Sequence, residues 1–441
     1  MRTLSPFPLL LSCLALLSAA ARAQEKPVPS DATLPLADLR GVWNADFNHD
    51  ASRVFVRMRG GTVGLWDATQ GTPIAGDLPA GQPSKQYVMS PDAKRVLVGF
   101  ADGSRVFDTT SAAAISPLLE ARLSDQLFMS ALFAPDGGTV LIFESSVVSV
   151  WDVHRGESLA RIPMPVEENE DVSPAAAFTA DGARCFILDR HGLVTCYDAK
   201  TWQPLGKPMQ HPAAEMAYQF GCSVSPDGKW LATFDDPGEN GPKSNLQLWD
   251  ASLNKPLGKP LVAVNGFHAE FLPRHQRVLI APARGEAHVR ELPSLRMAFK
   301  ARPHDDVSGP SVAVSPDEKW ILTWGADRRI DVYDAATGKL VSNHLGSANI
   351  SKVMLAPDSA SCYVAFDNTA FLLQKFHDHY IVKFTLPDLA IGAVIRLTEY
   401  LNRSSLSLDG RRLLVMQGAT EEESITIYET DKMTALEWPA P

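Results

Sequence analysis

A short turn of the Pro-Asp-Gly type returns nine times along this chain, each time between two short apolar runs. The turns begin at Asn48, Ser90, Ala134, Ala180, Ser225, Pro273, Ser315, Ala356 and Leu408. A third run follows each pair and usually ends in an aromatic residue. These ends are 41 to 53 residues apart. A repeat of this length with three or four strands per unit predicts radial repetition, in which blades close into a ring.

A single unit of this size cannot bury both faces of its sheet, so each unit must stack against its neighbours. We therefore predict an all-β fold, a single β-propeller of four-stranded antiparallel blades. Nine units predict nine blades. Eight is the alternative, because propellers typically have about four to eight blades and the sixth and eighth units are the weakest.

The third runs carry a recurring dipeptide. Trp66-Asp67, Trp151-Asp152 and Trp249-Asp250 share it, and Tyr197-Asp198 and Tyr333-Asp334 are close variants. On these residues the chain resembles a degenerate, exported bacterial WD40-repeat protein over residues 41–441. The resemblance implies a buried hydrogen-bonded set of His, Ser or Thr, Asp and Trp within a blade. The seventh unit matches it with His304, Thr323, Asp327 and Tyr333, where Tyr replaces Trp, and His211 is another candidate for the histidine position.

The first residues resemble an export signal. Arg2, an apolar stretch from Leu9 to Ala21 and the small-residue pattern before Gln24 are typical of a cleaved signal peptide over residues 1–23. The alternative is a lipid anchor at Cys13. We expect a periplasmic or secreted protein with no transmembrane segment after the leader. Residues 24–40 form a lead-in, and Thr33 to Leu36 are a candidate outer strand for the last blade.

The formal net charge of −10 argues against a nucleic-acid partner, because phosphate contacts need clustered Lys and Arg. It is compatible with a basic protein partner or with cations. Several acidic clusters fall in connections that share one face of the ring. They contain Glu168, Glu170, Asp171, Asp236 and Glu239. These residues predict an acidic rim that attracts a basic segment, unless they serve solubility alone.

The eighth unit has an insertion of roughly residues 368–380. Its apolar residues Phe371, Phe376 and Tyr380 suit a contact surface, although the segment could also extend a strand into the core. His377 and His379 stand two residues apart, so on a strand they would share one face and could bind zinc or copper. The alternative is a polar loop tip.

Two cysteines flank a tight hairpin in the fourth unit. Cys185 would face Cys196 if the four-residue loop between their strands were symmetric, and the pair could then form a disulfide. The alternative is that both fill core positions as small apolar residues.

Motifs for catalysis are missing from the sequence: there is no nucleophile elbow, phosphate-binding loop, Cys-x-x-Cys pair or zinc helix. We therefore predict no catalytic residues and no cofactor. The preferred function is an exported, non-catalytic scaffold that binds protein or peptide through the acidic loop face. The alternative is a propeller enzyme or a metal or small-ligand binder with a site in the central channel. That alternative requires titratable residues of several inner strands to meet, and among the expected inner strands Asp46 and Glu270 are charged.

Overall fold

The computed structural model describes most of the chain. The described residues are 33–35, 42–58, 61–75, 78, 86–123, 130–164, 173–212, 219–236, 243–263, 267–282, 285–304, 311–325, 327–346, 349–367, 379–397, 399, 401–418 and 423–433. They form nine antiparallel sheets in chain order, which we number blades 1 to 9. The described residues contain no helix of the length and apolarity needed to cross a membrane.

Each blade places its strands from the inside of the ring outward. Blade 1 consists of Val42–Phe47, Arg53–Met58, Val63–Asp67 and Pro73–Ala75; blade 2 of Gln86–Met89, Arg95–Gly99 and Ser104–Asp108; blade 3 of Ala131–Phe133, Thr139–Phe143, Val147–Asp152 and Ser158–Pro163. Blade 4 consists of Ala175–Phe178, Arg184–Leu188, Leu193–Asp198 and Met209–Gln210; blade 5 of Gln219–Val224, Trp230–Asp236, Ser244–Asp250 and Lys255–Ala263; blade 6 of Phe267–Leu272, Arg277–Pro282, His288–Glu291 and Met297–Lys300.

The last three blades close the ring. Blade 7 consists of Ser311–Val314, Trp320–Trp324, Arg329–Asp334 and Leu340–Leu345; blade 8 of Asn349–Leu355, Ser361–Asp367, His379–Thr385 and Ile391–Leu397; blade 9 of Leu401–Leu406, Arg412–Gln417 and Ser424–Glu429 with the distant strand Thr33–Pro35 outside them. Blade 2 has three full strands, and two isolated bridges, at Ala114 and Leu119, replace its fourth. A short 3-10 helix, Pro273–His275, forms the first turn of blade 6.

The hydrophobic core of the protein forms where neighbouring blades stack face to face. Nine clusters of buried apolar residues lie in the described part of the chain, and each one joins two neighbouring blades. One of them packs Val42 and Trp66 of blade 1 against Leu414 and Ile427 of blade 9. Because every blade shares its two faces with its neighbours, the nine-bladed ring predicted from the repeats is confirmed, and it closes on itself.

The recurring Asp residues shape the turns. In five first turns a Ser or Thr hydroxyl donates to the Asp two residues later at 2.6–2.7 Å, as Ser315 does to Asp317. The same carboxylate accepts a backbone N–H further along, such as that of Lys319. The Asp that follows the aromatic residue at the end of the third strand stabilises the turn to the fourth strand in a similar way. In blade 1, Asp67 accepts the N–H groups of Thr69 and Gln70 at 2.8 Å.

Arginines at the start of four second strands join neighbouring blades. Each donates through Nη1 to a backbone carbonyl of the next blade: Arg95 to Asp136 at 2.7 Å, Arg184 to Ala251 at 2.9 Å, Arg277 to Ala335 at 2.9 Å and Arg412 to Ala51 at 2.7 Å. The last of these bonds spans the ring closure. These contacts lie on the face that carries the first turns, which we call the lower face. The opposite face, with the links between second and third strands, is the upper face.

The strand Thr33–Pro35 pairs with Ser424–Glu429, Thr33 opposite Tyr428 and Pro35 opposite Thr426. We predict that deleting residues 24–40 lowers the free energy of unfolding by about 1–3 kcal/mol, because ladder bonds are lost. The exposed edge of the last blade should also promote self-association.

Urea denaturation and light scattering measure the two effects of this deletion. A shorter deletion, of residues 24–30, keeps the pairing strand and is the control. Equal stability of the two deletion variants would contradict a role for this strand in closing the ring.

Candidate functional site

Polar side chains of four inner strands meet on one side of the central channel. Arg403 of blade 9 approaches Asp46 of blade 1, with Nη2 3.9 Å from Oδ1. The hydroxyl of Tyr87 in blade 2 donates to the same carboxylate at 2.6 Å. Lys352 of blade 8 donates to the backbone carbonyl of Ser404 at 2.6 Å. We call this set the channel cluster.

The cluster continues to the mouth of the channel. Trp43 is the second residue of its inner strand, and its side chain is 56% exposed. The guanidinium of Arg57 lies over the indole, 5.9 Å from the ring centroid, in a cation–π contact. Both residues are at the strand ends that meet the upper face. An exposed indole held by a cation is typical of a contact surface.

Three β-bulges lie next to the residues of the channel cluster and change the direction of their side chains. Within the described residues, the pairing of inner and second strands is irregular in blades 8, 9 and 1, at Ile350/Lys352, Leu401/Arg403 and Val42/Asn44. A bulge rotates the residues beyond it relative to the regular alternation, and bulges are frequent at functional sites. The three irregularities lie next to the residues that form the cluster.

Several side-chain oxygens on the inner strands of blades 1, 2 and 9 lack a partner within the described residues. The side-chain oxygens Asn44 Oδ1, Gln86 Oε1 and Ser404 Oγ are buried and accept no hydrogen bond within the described protein. The amide nitrogen of Asn44 donates to Asp46, which fixes its oxygen on the other side.

Burial raises the pKa of Tyr87 well above its ordinary value, and the neighbouring Asp46 carboxylate adds to the effect. Burial also lowers the pKa of Lys352, and the cation of Arg403 contributes to this decrease. With Arg57, the described cluster has three cationic side chains around one carboxylate, so an anionic group would complete it.

The sequence prediction found Asp46 but missed its partners. Lys352 and Arg403 lie near the start of inner strands that begin at Asn349 and Leu401, several residues before the first turns from which the repeats were recognised. The other expected charged residue, Glu270, lies in blade 6 beside His268, with 3.9 Å between Nε2 and Oε2. It is far around the ring from the cluster.

The hydrogen-bonded set expected in blade 7 is brought together in part. His304 contacts Asp327 through Nδ1 and Thr323 through Nε2, both at 2.9 Å. Tyr333 bonds differently: its hydroxyl accepts the N–H of Arg302 and donates to Asp331 at 3.2 Å.

A set that includes Trp occurs in blade 5. His211 Nδ1 lies 2.8 Å from the hydroxyl of Thr233, which also accepts from the indole N–H of Trp249 at 2.9 Å. His211 Nε2 faces the buried carboxylate of Asp235 at 3.7 Å.

The eighth-unit insertion is described at its end alone. His379 is fully buried at the start of its strand, and Tyr380 is half-buried in the cluster between blades 7 and 8. Of the two alternatives for this segment, these two residues fit the one in which it extends a strand into the core, because the third strand begins at His379. His377, Phe371 and Phe376 lie outside the described residues. Among the described residues no group of three potential metal ligands occurs.

The acidic rim falls mostly on undescribed segments, which include Glu168, Glu170, Asp171 and Glu239. Of the described members, Asp236 accepts a hydrogen bond from Gln219 at 3.0 Å. Its neighbour Asp235 is buried and accepts the N–H of Asn245, and Glu423 is 1% exposed. Neither Asp235 nor Glu423 can contribute to an exposed acidic surface.

The disulfide prediction is wrong. Cys185 pairs with Tyr197, and Cys196 pairs with Phe186, so the hairpin is offset by one residue from the symmetric register. A shift of one residue turns a side chain to the other face of the sheet. Cys185 accordingly packs towards blade 3 and Cys196 towards blade 5, and both are free thiols.

Comparison with known proteins identifies the fold. No family model and no curated protein sequence matches the chain. A crystal structure of the eukaryotic initiation factor is similar, with a TM-score of 0.65 and 15% identity over 87% of this chain and 94% of that one. The C-terminal WD40 domain of Sif2 has a TM-score of 0.54 and 12% identity over 90% and 98%.

BamB from Moraxella catarrhalis has a TM-score of 0.47 and 12% identity over 92% of this chain and 98% of its own. At such identities the likeness concerns the fold alone. The chain is a nine-bladed β-propeller similar in fold to WD40 domains.

Proposed function

We propose that this chain is an exported, non-catalytic scaffold that binds a protein or peptide segment at the upper mouth of its channel. The observation that carries the proposal is the channel cluster, in which Arg403 faces the carboxylate of Asp46 and the cations of Lys352 and Arg57 lie on the neighbouring strands. Exposed Trp43 provides an apolar anchor at the rim of the same site. Export is inferred from the leader pattern of residues 1–23.

The chemistry of the cluster favours a segment with an acidic side chain or a terminal carboxylate. Its cations supply attraction, which is stronger inside a channel than on an open surface. The acidic sequences around residues 167–171 favour basic residues elsewhere on the same partner.

An enzyme in the channel is the second candidate, because titratable residues of several inner strands do meet there. The contacts favour binding over catalysis. The raised pKa of Tyr87 keeps its hydroxyl protonated at neutral pH, and that proton is donated to Asp46. Asp46 also accepts from Asn44 and faces Arg403, so it is held as an acceptor instead of a free base.

Charge reversal at the channel tests the proposal. We predict that the Lys352→Glu, Arg403→Glu double variant reduces partner recovery at least about tenfold, since it replaces attraction by repulsion at the site. The full mature chain serves as bait for cross-linking and affinity capture from the exported fraction of the source cell, with quantitative mass spectrometry. Trp43→Ala should reduce recovery of the same partner.

Arg155→Glu is the control, because Arg155 is exposed on a lower-face turn of blade 3. Thermal denaturation establishes that all variants are folded. Unchanged recovery with the double variant, or an equal loss with Arg155→Glu, would exclude the channel cluster as the binding site. Conversion of the captured partner to a product that is lost in Asp46→Asn would favour the enzyme.

A further inference from the structure

A second groove lies between blades 4 and 5, away from the channel. It encloses a cavity of about 570 Å³, a size typical of ligand pockets. Its walls are formed by Arg184, Cys196, Leu205, Gly206 and Lys207 of blade 4 and by Ala251 to Lys255 of blade 5. The blade 5 wall is the turn that joins its third and fourth strands.

The groove exists because the outer strand of blade 4 is short. It comprises Met209–Gln210, whereas the outer strand of blade 3 covers its neighbour over Ser158–Pro163. After the N–H of Leu205 donates to the carbonyl of Cys196, the chain leaves the ladder until Met209. Pro208 follows Lys207 and has no N–H to continue the pairing.

The two walls are fixed to each other. Asn254 of blade 5 donates through its side-chain amide to the carbonyls of Leu205 at 3.0 Å and Lys207 at 3.4 Å. Gly206 has a φ of +76°, and a Cβ there would lie 2.6 Å from that amide nitrogen. Arg184 donates across the blade boundary to Ala251 at 2.9 Å. The groove is therefore a preformed feature of the fold.

The charged side chains that line the cavity all carry a positive charge. Arg184, Lys207 and Lys255 are cationic, and no carboxylate lines the cavity. Asp250 lies beneath the turn, but its carboxylate accepts the N–H groups of Ser252 and Leu253. The groove lining is therefore cationic, although the whole chain has a formal net charge of −10.

Apolar side chains complete the groove. Leu205 is 39% exposed and Leu253 is 62% exposed, and both line the same cavity. We propose that this groove docks an acidic peptide segment of a partner protein, with its carboxylates at Lys207 and Lys255 and an aliphatic side chain between the two leucines. The site is separate from the channel cluster and would hold a second part of the same partner or a different one.

Fluorescence anisotropy of a labelled peptide tests this assignment. The probe is a fluorescein-labelled heptapeptide of glutamates around two leucines, titrated with the full mature protein at low salt. We expect saturable binding that weakens about tenfold in the Lys207→Glu, Lys255→Glu double variant. Leu253→Ser should weaken it as well, and a probe with serines in place of leucines should bind less tightly.

Blade 7 offers a matched control. Lys339 follows a left-handed residue, Gly338, in its turn, just as Lys255 follows left-handed Asn254, and Lys339 is also exposed. Lys339→Glu should leave probe affinity within about twofold. An equal loss in Lys255→Glu and Lys339→Glu would overturn the assignment, because attraction would then be general. Tighter binding of a single-stranded oligonucleotide than of the peptide, or dimerisation that excludes the peptide, would also overturn it.

Discussion

Thr233→Val should lower the free energy of unfolding by about 2–5 kcal/mol, because two buried groups lose their partner at once. The Thr233 hydroxyl accepts from the indole of Trp249 and forms a hydrogen bond of 2.8 Å with His211 Nδ1. Valine has nearly the same shape as threonine and removes little besides the hydroxyl. Both partners are buried, and no water can replace the lost bonds without opening the blade. Urea denaturation followed by tryptophan fluorescence measures the change.

The equivalent change in blade 7 is the control. Thr323→Val removes the partner of His304 Nε2, but the Nδ1 of His304 keeps its bond to Asp327 at 2.9 Å. One lost bond should cost about 1–3 kcal/mol. If Thr323→Val were as destabilising as Thr233→Val, the indole of Trp249 would contribute nothing, and the set in blade 5 would be no stronger than that in blade 7.

The comparison of these two blades shows what the sequence could predict. The repeat spacing and the turn chemistry predicted the nine blades, because each Asp acts within a few residues of its own position. The hydrogen-bonded set of blade 5 was harder to predict, because its acidic member, Asp235, lies within a strand and does not occupy the turn that Asp327 occupies in blade 7. Local chemistry was predictable, whereas contacts between side chains of different strands were less so.

The channel cluster was hidden for a related reason. Arg403 and Asp46 are far apart in sequence and meet because blade 9 closes on blade 1. The bulge before Lys352 and the one before Arg403 also break the alternation by which inner-strand side chains are assigned to a face. The disulfide prediction failed because it also depended on strand register. One extra residue in the hairpin places Cys185 and Cys196 on opposite faces of the sheet.

Acid should unfold the ring through its turns. The Asp residues of five first turns, Asp92, Asp181, Asp227, Asp317 and Asp409, all have a pKa below the ordinary value of 3.8. Burial raises the pKa of Asp317, but hydrogen bonds from Ser315 and Lys319 outweigh it and lower the pKa to about 2. The Asp residues in the turns to the fourth strand show the same decrease. For example, hydrogen bonds from the N–H and the hydroxyl of Thr201 lower the pKa of Asp198.

A carboxyl whose pKa is lower in the folded state releases its proton more readily there than in the unfolded chain. Its stabilisation is therefore complete above pH 3.8 and is lost as the pH falls through the folded pKa. We predict a steep, cooperative loss of stability between about pH 4 and pH 2, where many turns protonate together. Urea denaturation at successive pH values measures it.

Ser315→Ala separates this effect from other acid effects. The variant loses the hydroxyl donor to Asp317, so it should be about 1 kcal/mol less stable than the parent at pH 7. Burial lowers the pKa of His288 and of His344, and the resulting loss below pH 6.5 is common to both proteins. The two stability curves should run parallel above pH 4 and approach each other towards pH 2, because protonated Asp317 no longer needs the donor. A pH-independent difference should remain, since the variant also loses the hydrogen bond that Ser315 Oγ accepts from the N–H of Trp320. Curves that stay parallel down to pH 2 would show that the turn carboxylates do not control acid unfolding.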